Sequence, residues 1–229
     1  MKKLLYLAVI LMLSSCSAET EKEILAKLNN IPFGLKKEKA RLLRDDQTLV
    51  AVPYRGSKKL PLLFVFGGLY YANPSFMSQQ IPSYFYDDAV IVFAPCTPKG
   101  GLPYDLQMER VKKMLKKEGI TVKNITVCGF SAGGPDALAA NDKDIKVIGL
   151  IDPNPEIPQS TKAKAQIIAA FNKSNWHGNS PELKIAMTQQ FNNFANWAKG
   201  KGAIVEENTV AHETFPKYFF YKYRNNLFR

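Results

Sequence analysis

The five residues Gly129-Phe130-Ser131-Ala132-Gly133 constrain this chain more than any others. They read G-x-S-x-G, between a short apolar run (Ile125-Thr126-Val127-Cys128) and a helix expected over Pro135 to Ala140. A serine on a tight strand-to-helix turn needs small residues two before and two after it, because the backbone is cramped there. The turn lifts the hydroxyl and aims the first free N–H groups of the helix at whatever the serine attacks. The motif alone is weak, since glycine and serine are common turn residues. With a strand before and a helix after, Ser131 reads as a nucleophile, and a plain glycine-rich turn is the alternative.

The pattern around the motif predicts alternating strands and helices. Ala40 to Arg44 and Thr48 to Tyr54 form an expected hairpin around Asp45-Asp46-Gln47. Leu60 to Phe66, Ala89 to Ala94, residues 123–128, Ile145 to Ile151 and Gln166 to Phe171 are apolar runs, as strands covered on both faces require. Ala203 to Glu206 is a last strand. Helical character is expected over Pro74 to Tyr86 with a break at Pro82, and Tyr104, Met108, Val111 and Leu115 follow helical spacing up to a stop at Gly119. Leu183, Met187, Phe191, Phe194 and Ala198 share a face, after an N-cap at Ser180 and before Gly200. Residues 214–228 read as a terminal helix with Phe215, Phe219, Tyr223 and Leu227 on one face. Core packing is the plainer reading of that face; contact of Tyr218 and Tyr221 with a membrane is the sharper one. A hairpin followed by alternation predicts an α/β fold, with a mostly parallel twisted sheet and helices on both faces. A chain of 229 residues, 46% hydrophobic, suits one globular domain.

The N-terminus carries an address. Lys2 and Lys3 precede the apolar run Leu4 to Leu13, too short to span a bilayer comfortably and similar to a signal peptide. The run ends in Leu13-Ser14-Ser15-Cys16, which resembles a bacterial lipobox. That resemblance implies an exported protein, acylated on Cys16 and anchored to the cell membrane or outer membrane. A secretory signal with a chance cysteine is the alternative. Ser17, rather than Asp, resembles lipoproteins that leave the inner membrane. The expected organisation is a signal peptide over 1–15, a lipidated tether over 16–35 and a single domain over 36–229. Two or three acyl chains hold a protein on a membrane, where one is marginal.

The formal charge is +11, but the lysines are scattered rather than interleaved with aromatics, so no nucleic-acid partner is expected. Attraction of the whole body to an anionic membrane is open. Cys96 and Cys128 fall on strands with one strand between them, about 9–10 Å apart, beyond the roughly 7 Å a disulfide spans. Both are expected as free thiols. No metal or cofactor motif is present, and no cofactor is expected.

From about residue 40 to the C-terminus the chain resembles the α/β-hydrolase fold family, which includes serine esterases and lipases. The resemblance rests on the order of elements, the elbow Gly129-Phe130-Ser131-Ala132-Gly133 and a histidine after the last strand. In that family the nucleophile follows the fifth strand, and the chain order is serine, acid, histidine. Counting the hairpin as two strands makes 123–128 the fifth. The resemblance implies His212 as general base. The other histidine, His177, sits in a polar stretch where a surface or capping role is the plainer reading. The family usually keeps the acid after the seventh strand, but Phe171-Asn172-Lys173-Ser174-Asn175-Trp176 holds no carboxylate. Some members of the family carry the acid one strand earlier, so the resemblance implies Asp152, with Glu156 in reserve. A Ser–His dyad, or Asn172 or Asn175 orienting the histidine, stays open.

The oxyanion hole implied by the resemblance takes one N–H from Ala132. The other comes from the turn Phe66-Gly67-Gly68-Leu69-Tyr70: Leu69 by alignment, Gly68 one register away. The implied activity is hydrolysis of a small-molecule or lipid acyl ester through an acyl-enzyme. A peptidase or amidase with the same triad, and a binding lipoprotein without activity, are the alternatives. The segment Pro153 to Gln166 is too short for a large cap domain. The pocket is expected between loops 69–84, 95–104 and 153–160, with Tyr70, Tyr71, Phe76 and Trp176 as candidate lining.

Overall fold

The computed structural model describes residues 19–36, 38–45, 47–54, 58–69, 73–158, 164–176 and 180–228. The leader, Cys16, Tyr70, Tyr71 and His177 lie outside the described residues.

The expected hairpin forms from β1 (Ala40–Arg44) and β2 (Leu49–Pro53). The remaining strands are β3 (Lys59–Gly67), β4 (Val90–Pro95), β5 (Thr121–Phe130), β6 (Ile145–Ile151), β7 (Gln166–Phe171) and β8 (Ile204–Glu207). They join one sheet in the order β1-β2-β4-β3-β5-β6-β7-β8. β2 pairs antiparallel with β1 and β4, and every pair from β4 to β8 is parallel. This is the α/β architecture the sequence predicts, and β5 is the fifth strand as counted.

The inner strands are apolar at consecutive positions because both faces are covered. In β3, Leu63 and Val65 enter one core layer while Leu62, Phe64 and Phe66 enter the other, and all five are fully buried. Each such side chain contributes about 1.5–3 kcal/mol relative to exposure. The first layer is closed by α1 (Glu21–Leu28), α2 (Pro74–Ser78), α3 (Phe85–Asp88) and α7 (Phe215–Lys222). The second is closed by α4 (Tyr104–Lys117), α5 (Gly134–Ala139) and α6 (Pro181–Gly200). Pro82 falls in the break between α2 and α3, where a ring without an N–H cannot continue a helix.

Two expectations change. Residues 16–35 read from the sequence as a tether, yet α1 is docked on the domain: Ile24 and Leu28 are buried in the same layer as α7. Spaced four apart, they share one helical face, and Thr20 with Glu23 closes a capping box at its start. The folded body therefore begins before residue 36. The terminal helix is also shorter than 214–228, and turns follow Lys222. Its expected face holds nonetheless, with Phe215, Phe219, Tyr223 and Leu227 all buried. Tyr218 is fully buried as well and donates to Glu206 Oε1 at 2.6 Å, which excludes a membrane-facing role for it. Cys96 and Cys128 are buried free thiols, as expected, but only Cys128 is on a strand: Cys96 lies one residue past β4 and caps the 3-10 turn Thr97–Lys99.

Candidate active site

Ser131 follows the last residue of β5 and starts a short 3-10 turn, Ser131–Gly133, that leads into α5. Its φ is +54°, in the left-handed region. A non-glycine residue there costs about 1–2 kcal/mol, so the surroundings must hold it. They do so by close approach. A Cβ on Gly129 would sit 2.7 Å from Gly134 N, and one on Gly133 would sit 2.8 Å from both Cβ and the carbonyl oxygen of Phe66. The two glycines of the motif are thus required by crowding of the turn against itself and against β3. The Ser131 carbonyl accepts from Gly134 N and, at 3.1 Å, from Asn154 N, which pins the turn to the segment after β6. Ser131 retains 9% exposure.

Gly68, just beyond β3, packs on the serine: a Cβ there would lie 2.7 Å from Ser131 Cβ and 3.2 Å from its Oγ. Leu69 follows with an exposed side chain. Ala132 occupies the first turn after the serine, where an N–H has no partner within the turn itself. The structure therefore brings Gly68, Ser131 and Ala132 to one place, with Leu69 adjacent to it in the chain.

Asp152 leaves the end of β6 with φ +40° and is fully buried. A buried carboxylate is costly unless hydrogen-bonded, and donors surround this one. Oδ1 accepts from Asn172 N at 2.9 Å and lies 3.4 Å from Trp176 Nε1. Oδ2 accepts from Asn175 Nδ2 at 2.7 Å and meets His212 Nδ1 at 2.6 Å. A carboxylate offers only acceptors, so the His212 proton belongs on Nδ1 and Nε2 is the accepting nitrogen of the ring. The imidazole is half-buried in a loop between β8 and α7. Its ring lies 4.6 Å from the Phe130 ring, the residue before Ser131, and 5.6 Å edge-on from Trp176. That loop is held by Val210 O, which accepts from Asn172 Nδ2 at 3.0 Å and Asn175 Nδ2 at 3.1 Å.

Asp152 and His212 are thus joined, on the side of the turn that carries Ser131. Between these described residues the Oγ–imidazole hydrogen bond is not closed; such bonds are often long before substrate binds and tighten in the complex. Glu156, the reserve acid, lies on the chain beyond Asp152 and makes no hydrogen bond to His212 among the described residues. Asn172 and Asn175 hold the acid and the histidine loop rather than the histidine itself. In the sequence they stand out only as two amides after β7, where the resemblance implies a carboxylate. Trp176 touches both Asp152 and His212, while Phe76 packs on the core. A cavity of about 440 Å³ opens beyond the end of β4, between Arg44, Thr48, Asn73, Ser75, Pro95 and Lys99. It uses the expected loops 69–84 and 95–104 but not Ser131 or His212.

Solved structures share this architecture. The chain superposes on the Pyrococcus horikoshii acylaminoacyl peptidase with a TM-score of 0.53 at 12% identity, covering 83% of this chain and 42% of that one. It matches poly(aspartic acid) hydrolase-1 from Sphingomonas sp. KT-1 with a TM-score of 0.52 at 12% identity, over 85% of this chain and 100% of that one. For carboxyl esterase 2 from Tuber melanosporum the TM-score is 0.51 at 14% identity, over 86% and 91%. No protein-family model and no curated protein matches the sequence. Strand order, helix layers and these neighbours define the class: the chain has the α/β-hydrolase fold. It spans less than half of the archaeal peptidase and nearly all of the other two.

Proposed function

We propose that this protein is a serine hydrolase that cleaves carboxylic (acyl) esters through an acyl-enzyme, held at the cell envelope by lipid on Cys16. The observation that carries the reading is the buried Asp152 carboxylate 2.6 Å from His212 Nδ1, beside a serine held at φ +54°. A serine hydroxyl is a poor nucleophile until a base takes its proton. His212, with its proton fixed on Nδ1 by Asp152, presents Nε2 for that purpose. Ser131 Oγ attacks the acyl carbon as its proton passes to His212. Asp152 stabilises the imidazolium without taking the proton.

The oxyanion that forms is held by the Ala132 N–H and an N–H of the Gly68–Leu69 turn. Losing one such donor typically costs about 10²–10³ in rate. His212 then returns the proton to the leaving alcohol, whose C–O bond breaks. Water, deprotonated by the same imidazole, attacks the acyl carbon; its bond to Ser131 Oγ breaks, the imidazolium returns the proton to that oxygen, and the acid leaves.

The test is a panel of short and long acyl esters of 4-nitrophenol, together with peptide amides, on wild type and Ser131→Ala. The reading expects ester turnover that the variant loses. Turnover of amides in place of esters would favour a peptidase with the same residues. Equal inertness of both proteins would favour a binding lipoprotein and sink the enzyme.

A further inference from the structure

We infer that the edge of the sheet carrying Ser131 and His212 faces a lipid bilayer, so that the substrate is an amphipathic ester resident at the membrane surface. This inference rests on the lipid attachment proposed above.

The first observation is where the anchor enters the body. α1 begins at Glu21, and its carboxylate clasps Thr209, accepting from Thr209 N at 3.1 Å and from its hydroxyl. Thr209 lies just past the carboxyl end of β8, three residues before His212. Three residues separate Cys16 from Thr20, so four Cα-to-Cα steps give a covalent reach of about 14 Å at most. A lipid on Cys16 therefore holds the body close, and by the same edge that carries the histidine.

The second observation is the surface of that edge. Leu69 follows β3, Ile157 follows β6, and both are exposed. Leu106 stands in the first turn of α4, which runs back to the amino end of β5. Helix α6 has 20 residues, about 30 Å. It returns to the amino end of β8, a strand of only 4 residues, so its first turns overhang the carboxyl edge. Those turns carry Leu183 and Ile185, the latter 71% exposed. Among the described residues, five of the eight exposed large apolar side chains (Leu69, Leu106, Ile157, Leu183 and Ile185) thus belong to segments at the carboxyl edge. Clustered exposed apolar groups mark interaction surfaces.

The third observation is charge. Without Lys2 and Lys3 of the leader, the formal charge of +11 becomes +9 (11 − 2), and such a chain is drawn to anionic headgroups. A protein partner would explain the apolar edge but not the short anchor that enters beside it.

Full-length protein is made with its leader in a bacterial host that processes lipoproteins. The mass of its Cys16 peptide is read, and the protein is reconstituted in vesicles of phosphatidylethanolamine and phosphatidylglycerol with a spin-labelled headgroup. The chain has two tryptophans. W197F leaves Trp176 beside His212; W176F leaves Trp197 near the C-terminal end of α6, towards the opposite edge.

With the quencher at headgroup level, where interfacial contacts reach about 5–10 Å deep, Trp176 emission should fall by about half and Trp197 should be spared. Ile157→Glu with Ile185→Glu should restore Trp176 emission while the protein still floats with the vesicles. Equal quenching of both tryptophans, quenching of Trp197 alone, or no quenching overturns the inference. So does an unacylated Cys16 peptide, or a dimer in light scattering that covers the edge. Fluorescence needs no turnover, so an inert Ser131 would end the hydrolase reading and leave this orientation standing.

Discussion

Asn175 donates from Nδ2 to Asp152 Oδ2 at 2.7 Å, the oxygen that His212 Nδ1 also meets at 2.6 Å. The amide after β7 thus supports a carboxylate that arrives from β6. The strand ends point to Asp152 in the sequence, and the structure sets its fully buried carboxylate against His212 and shows the amides that orient it.

Removing the carboxylate should therefore cost more than removing its support. Asp152→Asn can present an amide N–H to His212 and reverse the tautomer, so kcat should fall by about 10⁴ with KM little changed. Asn175→Leu removes one charge-assisted hydrogen bond, a contribution of about 1.5–3 kcal/mol, and should lower kcat by about tenfold. Steady-state kinetics on a soluble ester checks both. A larger loss in the Asn175 variant than in the Asp152 variant would reverse the assigned roles.

Backbone strain at Ser131 should be visible in stability. Ser131→Gly and Ser131→Ala both delete the hydroxyl, but only glycine accepts φ +54° without penalty. The glycine variant should be more stable than the alanine variant by about 1 kcal/mol. Urea unfolding of the pair measures the difference, and equal midpoints would mean that the turn relaxes in solution.

The two glycines packed around the turn, Gly68 and Gly133, should both matter for folding, and Gly68 acts directly on the Ser131 side chain. Gly68→Ala sets a Cβ 2.7 Å from Ser131 Cβ, which moves only with the backbone of the turn, so turnover should be lost and stability should fall as well. Gly133→Ala pushes on the Phe66 carbonyl, which belongs to β3 and cannot swing away. That overpacking should cost about 1–3 kcal/mol of stability. Thermal melts beside single-turnover assays check both.

Glu206 supplies a pH dependence. Burial pushes its carboxyl up, but Lys222 at 2.6 Å and the hydroxyls of Tyr218 and Tyr223 outweigh it and hold the group below its ordinary 4.5. A depressed folded value means stability that is present above 4.5 and lost as pH falls through the lower, folded value. Glu206→Gln should therefore be less stable than wild type at neutral pH and flatter on the acid side. Urea midpoints across that pH range check it; parallel curves would show that Glu206 carries none of the acid sensitivity.

Much of this molecule was legible because its strands are buried on both faces and announce themselves as apolar runs. Ile145–Ile151 and Gln166–Phe171 form over the predicted residues. The elbow was legible because Gly129 and Gly133 are forced by contact with Gly134 and Phe66. Helix α1 is legible as a partly helical pattern, with Ile24 and Leu28 spaced for one face and a Thr20–Glu23 capping box, but its docking on the domain is not. A short polar helix is decided by its docking partner, and α7 lies nearly two hundred residues away in sequence. The amide support of Asp152 was hidden for a similar reason: hydrogen bonds from Asn172 and Asn175 across to another strand leave no periodicity.

The most direct test of the account is covalent labelling. Wild type, His212→Ala and Ser131→Ala are each incubated with a fluorophosphonate and mapped by peptide mass spectrometry. The account predicts a single adduct on the peptide containing Ser131, formed far more slowly without His212 and absent without the hydroxyl. An unlabelled wild type, or an adduct that forms equally fast in the His212 variant, would contradict it.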